Sequence, residues 1–360
     1  MRTITVELGE RSYPIYVGRG ILTDLPGKFS SHKLSSRIAI VSDRNVASRH
    51  LKRLSGILRR SGIPFIPLLM PAGERQKSLS RFNTMTTQLL GAGHRRGSAI
   101  AAFGGGVVGD VAGFVAANYR RGTPFVQIPT TLLGQVESAL GGKVGVNHPL
   151  AKNAVGTFYQ PKFVFSDIDL LLTLTPRELI CGLGEVLKYA ILDAGIYAFI
   201  DAHLDSIVRL DPEILEETVV RCNMLKAAMI SEDERETRPE GGRMVLNLGH
   251  RIGHVLEELS NFRLHHGEAV VVGLRWELAI ARAAGVIDKP AWEEINRLLE
   301  RIAFRPDLGF IRMDSLIGAI FGREGKARFV LPAGLGKVTT TDSLQPRLVR
   351  SVLKSLVPAR

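Results

Sequence analysis

The sequence predicts an α/β domain followed by a mainly α-helical domain. Three observations carry that expectation. Short apolar runs alternate with helical stretches up to about residue 170, nearly everything from Thr175 onward has helical period, and a glycine cluster marks one strand-to-helix junction. Short strands between helices imply βαβ units and a mostly parallel sheet. In chain order, "MRTITVELGERSYPIYVG" alternates polar and apolar residues as a strand pair does. "SRIAIVSD" then leads into the helical "RNVASRHLKRLSGILRR", and "IPFIPLLM" precedes a helix from about Ser78 to Leu90. "SAIAAFGGG" opens the next helix, "TPFVQIPTT" follows, and "KFVFSDIDLLLTL" closes the alternating part. The helical remainder is interrupted by a short hairpin at "KARFVLPAGLGKVTT". The expected domains are residues 1–173 and 174–360, with no internal repeat and no low-complexity segment.

The 360 residues are ample for a substantial core, and 45% hydrophobic with 23% charged content is that of a soluble globular chain. Two distant cysteines, Cys181 and Cys222, argue against a disulfide framework. No segment has a signal peptide's apolar core or approaches a membrane span, so a cytoplasmic protein is expected. The net charge of +12 admits nucleic acid as a partner, but aromatics are only 6% and no nucleic-acid motif is present. Its basic residues are scattered, and "RHLKRLSGILRR" reads as one solvated helical face. Small molecules bearing phosphate or carboxylate are the better use for such an excess, so no nucleic-acid and no membrane partner is expected.

Two segments carry chemistry. "LNLGHRIGHVLEELSNFRLHHGEAV", residues 246–270, holds four of the nine histidines: His250, His254, His265 and His266. His250 and His254 are four apart and share a helical face, and a second pair follows closely. Arg251 stands where a zincin motif has glutamate, so a metal centre and ordinary polar histidines are both open readings. In "AIAAFGGGVVGDVAGF", Gly104, Gly106 and Gly109 fit G-x-G-x-x-G between a strand and a helix. Backbone can approach a pyrophosphate there, which makes the first domain Rossmann-like. The acid usual about twenty residues on is missing, since that region reads "QIPTT", but Asp43 ends an earlier strand and could hold a ribose.

Further blocks extend these two. "GGGVVGDVAGFVAANYRRG", "PTTLLGQVESALGGKVGVNHPLAKN", "LTPRELICGLGEVLKYAILD" and the histidine segment occur in that order. Together they resemble the 3-dehydroquinate synthase family, from roughly Asp43 to Gly273. The resemblance implies a metal site of Glu185, His250 and His266 holding Zn²⁺ or Co²⁺, with His254 handling protons or substrate and His265 in a supporting role. It implies an NAD site of Asp43, Glu74, Arg75, Gly105, Gly106, Asp110, Thr130 and Thr131, with Lys143 and Lys152 beside it. Lys143, Lys152, Asn153, Lys188, Lys226, Arg243, Asn247 and His254 would surround the substrate, with Glu137 nearby. Arg121 would reach the substrate phosphate of a neighbouring subunit in a homodimer.

The implied reaction converts 3-deoxy-D-arabino-heptulosonate 7-phosphate to 3-dehydroquinate and phosphate, with NAD⁺ consumed and regenerated in each cycle. Another sugar-phosphate cyclase and a metal-dependent polyol dehydrogenase of the glycerol type are the rival readings. The chain departs from the family in four places. Glu137 replaces the usual Asp, Arg75 the usual Lys, "ETRPEGGRMV" carries a few extra residues, and the C-terminal Asp-Lys-Lys segment is absent. In its place "IFGREGKARF" offers Arg323 and Lys326, on a loop that could swing toward a phosphate.

Overall fold

The computed structural model describes residues 1–34, 36–238, 241–322 and 324–357. It divides into two compact units, Met1–Glu178 with Ile207–Arg235, and Leu179–Ser206 with Glu236–Arg360.

The strands of the first unit are β1 (Arg2–Val6), β2 (Tyr13–Gly18), β3 (Ile38–Asp43), β4 (Phe65–Met70), β5 (Ala99–Gly104), β6 (Phe125–Pro129), β7 (Lys143–His148), β8 (Ala151–Phe158) and β9 (Val164–Asp167). Seven form one sheet in the order β1-β2-β9-β6-β5-β3-β4. The terminal pair β1–β2 is antiparallel, as its alternation predicts, and the other neighbours are parallel. A strand covered on both faces needs apolar residues at every position, and "IAIV" and "AIAAF" satisfy this. Ile38 and Ile40 face a layer with Leu54, Leu58 and Phe103, while Ala39 and Val41 face another with Met85, Val111 and Val115. β7 and β8 form a separate two-stranded antiparallel hairpin that the sequence pattern did not resolve, and an isolated bridge joins Asn147 of β7 to Ser78.

The helices are α1 (Leu25–Ser31), α2 (Arg44–Val46), α3 (Lys52–Arg60), α4 (Leu79–Gly91), α5 (Gly106–Asn118), α6 (Pro176–Leu192), α7 (Ala194–Val208), α8 (Pro212–Glu232), α9 (His250–Leu259), α10 (His266–Ala283), α11 (Lys289–Glu300), α12 (Met313–Phe321) and α13 (Pro346–Leu356). α4 starts where expected because the Ser78 hydroxyl accepts from the Arg81 N–H at 3.2 Å, an N-cap bond.

The division departs from the expected boundary at 173/174 in two places, since the first unit runs on to Glu178 and takes in a later segment. Residues 207–235 belong to the first unit, because α8 packs on β1 and Arg2 of that strand binds Glu217 at 2.6 Å. In the second unit α10 is central, nearly continuously buried from Gly267 to Leu274, with α9, α11, α13 and β10 (Phe329–Gly334) against it. β10 and β11 (Lys337–Thr341) form the expected hairpin. Among the described residues no helix is long and apolar enough to cross a membrane.

Candidate functional site

The expected residues fall into two groups, one in each unit. In the first unit the polypeptide passes from β5 into α5 at Gly105, the N-cap, whose lack of a side chain leaves the first-turn N–H groups without a side-chain cap. An uncapped helix start favours an anion. β3 lies beside β5 in the sheet, so Asp43 ends the neighbouring strand; its carboxylate now accepts from the Asn45 and Val46 N–H groups. The Thr130 hydroxyl oxygen, at the end of β6, is buried with no hydrogen-bond partner among the described residues. Thr131, next along, is instead engaged by the Gly134 N–H at 3.0 Å. An open helix start, a carboxylate on the adjacent strand end and an unsatisfied hydroxyl together fit a dinucleotide.

Asp110, one turn into α5, is paired at 2.6 Å with Lys77, which sequence reasoning passed over although it named Glu74 and Arg75. Burial pushes the Asp110 carboxyl above its usual range, with Lys77 pulling the other way. Lys77 also donates to the Asn153 side-chain carbonyl at 2.5 Å. Asn147 closes the network, donating to Glu74 at 2.8 Å and accepting from the Asn153 N–H at 2.9 Å. Lys77, Asp110, Lys143 and Asn153 line one cavity of about 450 Å³. Lys152, on β8, lies half-buried, while Arg75 is exposed in the turn after Gly73. Glu137 and Lys226 form an ion pair at 2.7 Å, with the lysine side chain only 3% exposed. Arg121 stands apart from this cluster, exposed in a left-handed turn at φ 64°.

In the second unit three helices supply a buried polar centre. α6 contributes Glu185, the first turn of α9 contributes His250, and the first residue of α10 is His266. Their ligand atoms all lie within 4.8 Å of one another. One Glu185 oxygen is 3.3 Å from His250 Nε2 and 3.1 Å from His266 Nε2, while the other is 2.5 Å from Lys188 Nζ.

Glycines bring these helices together. A Cβ on Gly267 would sit 1.8 Å from the Cys181 carbonyl oxygen, and one on Gly273 would sit 2.0 Å from that of Gly249. Only glycine permits backbone contact of that kind. Glu277, on α10 and fully buried, accepts from the Gly249 N–H at 2.6 Å and the Ile252 N–H at 3.2 Å, fixing the start of α9. His265 precedes α10 as its N-cap, and its own N–H donates to Glu268 at 2.8 Å.

Each histidine has a second anchor. His250 Nδ1 lies 3.0 Å from the Leu248 carbonyl, and His266 Nδ1 lies 3.2 Å from Glu257 Oε2. With Nδ1–H bonded outward, each Nε2 is left to bind an electrophile at the centre. Burial raises the Glu185 carboxyl, but Lys188 and the two histidines more than reverse this and hold it well below the carboxylate range. Burial lowers His266, but Glu185 and Glu257 overcome it and raise its pKa to about 9. A carboxylate kept ionised between two imidazole nitrogens, with no bulk water needed to solvate it, fits a divalent cation of the zinc or cobalt type.

Asn247, His250 and His254 share a cavity of about 500 Å³ with Arg251 and Arg328. The buried Arg243 lies in the turn Gly242–Asn247 outside that lining, and Asn247 donates to Glu236 at 2.6 Å. The expected loop cations fare differently from each other. Arg323 lies outside the described residues and Lys326 is exposed, whereas Arg328, not singled out from the sequence, is the cation from that segment on the cavity wall.

Residues 67–181 match the 3-dehydroquinate synthase N-terminal domain, and residues 182–322 match its C-terminal domain. The chain belongs to the 3-dehydroquinate synthase family. Consistent with this membership, it is 42% identical over 360 residues to a 3-dehydroquinate synthase of Caldanaerobacter subterraneus, covering 98% of this chain and all of that one. The family member of Acidithiobacillus ferrooxidans is 37% identical, with 99% of each chain covered. Among solved structures, 2-epi-5-epi-valiolone synthase from Streptomyces hygroscopicus, with NAD⁺ and Zn²⁺ bound, superposes with a TM-score of 0.86. That likeness comes at 27% identity and covers 97% of this chain and 98% of that one.

Proposed function

We propose that this chain is a cytoplasmic, homodimeric 3-dehydroquinate synthase of the shikimate pathway, which feeds aromatic amino acid biosynthesis. Its substrate is 3-deoxy-D-arabino-heptulosonate 7-phosphate, and it works with NAD⁺ and Zn²⁺ or Co²⁺. The observation that carries the proposal is the convergence of Glu185, His250 and His266 within 4.8 Å, in a chain 42% identical over its length to a 3-dehydroquinate synthase. When bound, NAD⁺ supplies a transient hydride acceptor and the metal a Lewis acid for the substrate hydroxyl.

The chain's own residues do the rest. The Gly105–Gly106 turn, Asp110, Thr130, Thr131, Asp43, Glu74 and Arg75 hold the dinucleotide, with Lys143 and Lys152 beside it. Glu185, His250 and His266 hold the metal. Lys152, Asn153, Lys188, Lys226, Arg243 and Asn247 bind the substrate's carboxylate, hydroxyls and phosphate, where fixed cations act without reorganising. Glu137 keeps the Lys226 ammonium in place through their 2.7 Å pair. His254 moves a proton at its ring nitrogen as the hydroxyl is oxidised and the ketone later reduced. Between those steps phosphate is eliminated, and after the reduction the ring opens and an intramolecular aldol closes the carbocycle. Arg121, exposed here, serves the phosphate of the neighbouring copy.

The metal-loaded enzyme with substoichiometric NAD⁺ should release one phosphate per heptulosonate phosphate consumed, with 3-dehydroquinate identified by NMR and no NADH accumulating. NADH rising in step with substrate would support the polyol dehydrogenase, and phosphate release with a different carbocycle would support another cyclase.

Arg328 takes the role expected of Lys326, while Arg323 lies outside the described residues. A charge-assisted bond is worth about 1.5–3 kcal/mol, so Arg328→Ala should lower kcat/KM about ten- to a hundredfold. Lys326→Ala should stay within about threefold of wild type, since that lysine is not on the cavity wall. Equal kinetics for wild type and Arg328→Ala would remove the arginine from the substrate site.

A further inference from the structure

His266 bridges two carboxylates, Glu185 at Nε2 and Glu257 at Nδ1, at 3.1 and 3.2 Å. Glu257 lies on α9, seven residues after His250 and three after His254, so all three share one helical face. It is 2% exposed, an unusual place for a carboxylate unless it has a polar task. The loop that carries His266 back is tied to the same turn. The Phe262 N–H and the Ser260 hydroxyl both donate to the Glu257 carbonyl, at 2.9 and 2.8 Å, and the Leu264 N–H donates to that hydroxyl at 3.1 Å. Thus the backbone of Glu257 sets where the histidine arrives, and its side chain meets the ring nitrogen that faces away from the centre.

We infer that Glu257 is the positioning residue of the metal centre, holding His266 as the Nδ1–H tautomer with Nε2 aimed beside Glu185. An imidazole can present either nitrogen and can rotate about its side-chain bonds. A carboxylate behind Nδ1 removes both freedoms and makes the ring a stronger donor. His254 and Glu257 also lie within 4.8 Å of a His266 nitrogen, so a second reading makes Glu257 a direct ligand of an ion on that side. The two readings differ in what an isosteric amide does. Glutamine can still accept from Nδ1–H through its carbonyl oxygen, but it is a poor ligand for a hard divalent ion.

This inference rests on the metal reading proposed above, and the experiment separates the two. The full-length apo-protein, wild type and the variants Glu257→Gln and Glu257→Ala, is titrated with Zn²⁺ against a chelator and with Co²⁺ by visible absorption. The thermal midpoint of each apo form is also recorded. Wild type should bind one equivalent tightly, Glu257→Ala should bind about ten- to a hundredfold more weakly, and Glu257→Gln should recover most of that loss. The Co²⁺ spectrum of Glu257→Gln should keep the wild-type band positions, because the ligand set is unchanged.

A wild type that binds no metal overturns the metal reading itself. Stoichiometric, equally tight binding by all three proteins overturns the role of Glu257 alone. So does a loss in Glu257→Ala matched by an equal loss in Glu257→Gln with altered Co²⁺ bands, which would make Glu257 a ligand. A fall in apo thermal midpoint without a change in affinity would mark Glu257 as structural only.

Discussion

The His250→Ala enzyme is expected to keep its fold, lose its metal and show no turnover. His250 sits at the start of α9, where the Leu248 carbonyl fixes Nδ1 and Glu277 fixes the surrounding backbone, so removing the ring leaves the helix start anchored. What disappears is one of the ligand groups that converge within 4.8 Å. The remaining pair cannot saturate a divalent ion, and metal affinity is strongly tied to ligand number. After dialysis, wild type should hold one metal per chain by elemental analysis and the variant less than roughly a tenth of that, with turnover below detection. Retained stoichiometric zinc with retained activity would show that the centre lies elsewhere.

The same centre predicts a pH dependence. His266 carries its proton up to about pH 9 in the metal-free protein, held by Glu185 and Glu257 against the opposing effect of burial. A folded-state pKa above the ordinary 6.5 gives the apo fold a stabilisation that is complete below pH 6.5 and lost as pH rises through about 9. Metal must expel that proton, so its apparent affinity should climb with pH across the same window. The thermal shift between apo and zinc-loaded protein should therefore widen from pH 6.5 to 9. A shift that stays constant would mean His266 is neutral before metal arrives.

How much of this was legible in the sequence follows the range of each interaction. β3 and β5 could be read directly because burial on both faces demands uninterrupted apolar runs. α8 could be read as a helix, but helical period says only that a face is apolar, not which unit it covers, and residues 207–235 belong with the first. The spacing of His250 and His254 put two imidazoles on one face, but it could not show that His250 lies 3.3 Å from Glu185. The tie to Glu185 spans 65 residues of chain, so it came from the resemblance and not from local pattern. Glu257, Glu277 and Lys77 carried no signal, since charged residues on amphipathic segments look like solvated positions until packing closes over them. Arg328 was hidden for a different reason. It directly precedes the strand-like "FVLP" run and reads as its polar flank, while attention falls on the glycine-rich loop before it.

Gly267→Ala should damage both stability and the metal centre, although alanine is the better helix former. The propensity gain of alanine over glycine is about 1 kcal/mol. Against it stands the helix crossing of α6 and α10. An added Cβ at Gly267 would lie 1.8 Å from the Cys181 carbonyl oxygen and 2.4 Å from its Cα, and one added at the facing Gly184 would lie 2.4 Å from the Gly267 carbonyl oxygen. Both neighbours are backbone atoms in buried helices, so no rotamer change relieves the overlap and the helices must separate. Overpacking of buried contacts typically costs 1–3 kcal/mol, and a clash between two helix backbones belongs at or above the upper end. Strain therefore wins, and the thermal midpoint should fall by roughly 4–10 °C.

The functional cost is larger, because the crossing glycines adjoin ligands: Gly184 precedes Glu185 and Gly267 follows His266. Moving the helices apart by on the order of 1 Å opens the 3.1 Å approach between these ligands, and zinc affinity should drop more than tenfold. Gly318→Ala is the matched control. It lies within α12, where an added Cβ meets nothing within 4 Å, so it should leave metal binding intact and stability unchanged or slightly raised. If Gly267→Ala melts with wild type and binds zinc as tightly, the close approach of α6 and α10 does not set the geometry of the centre.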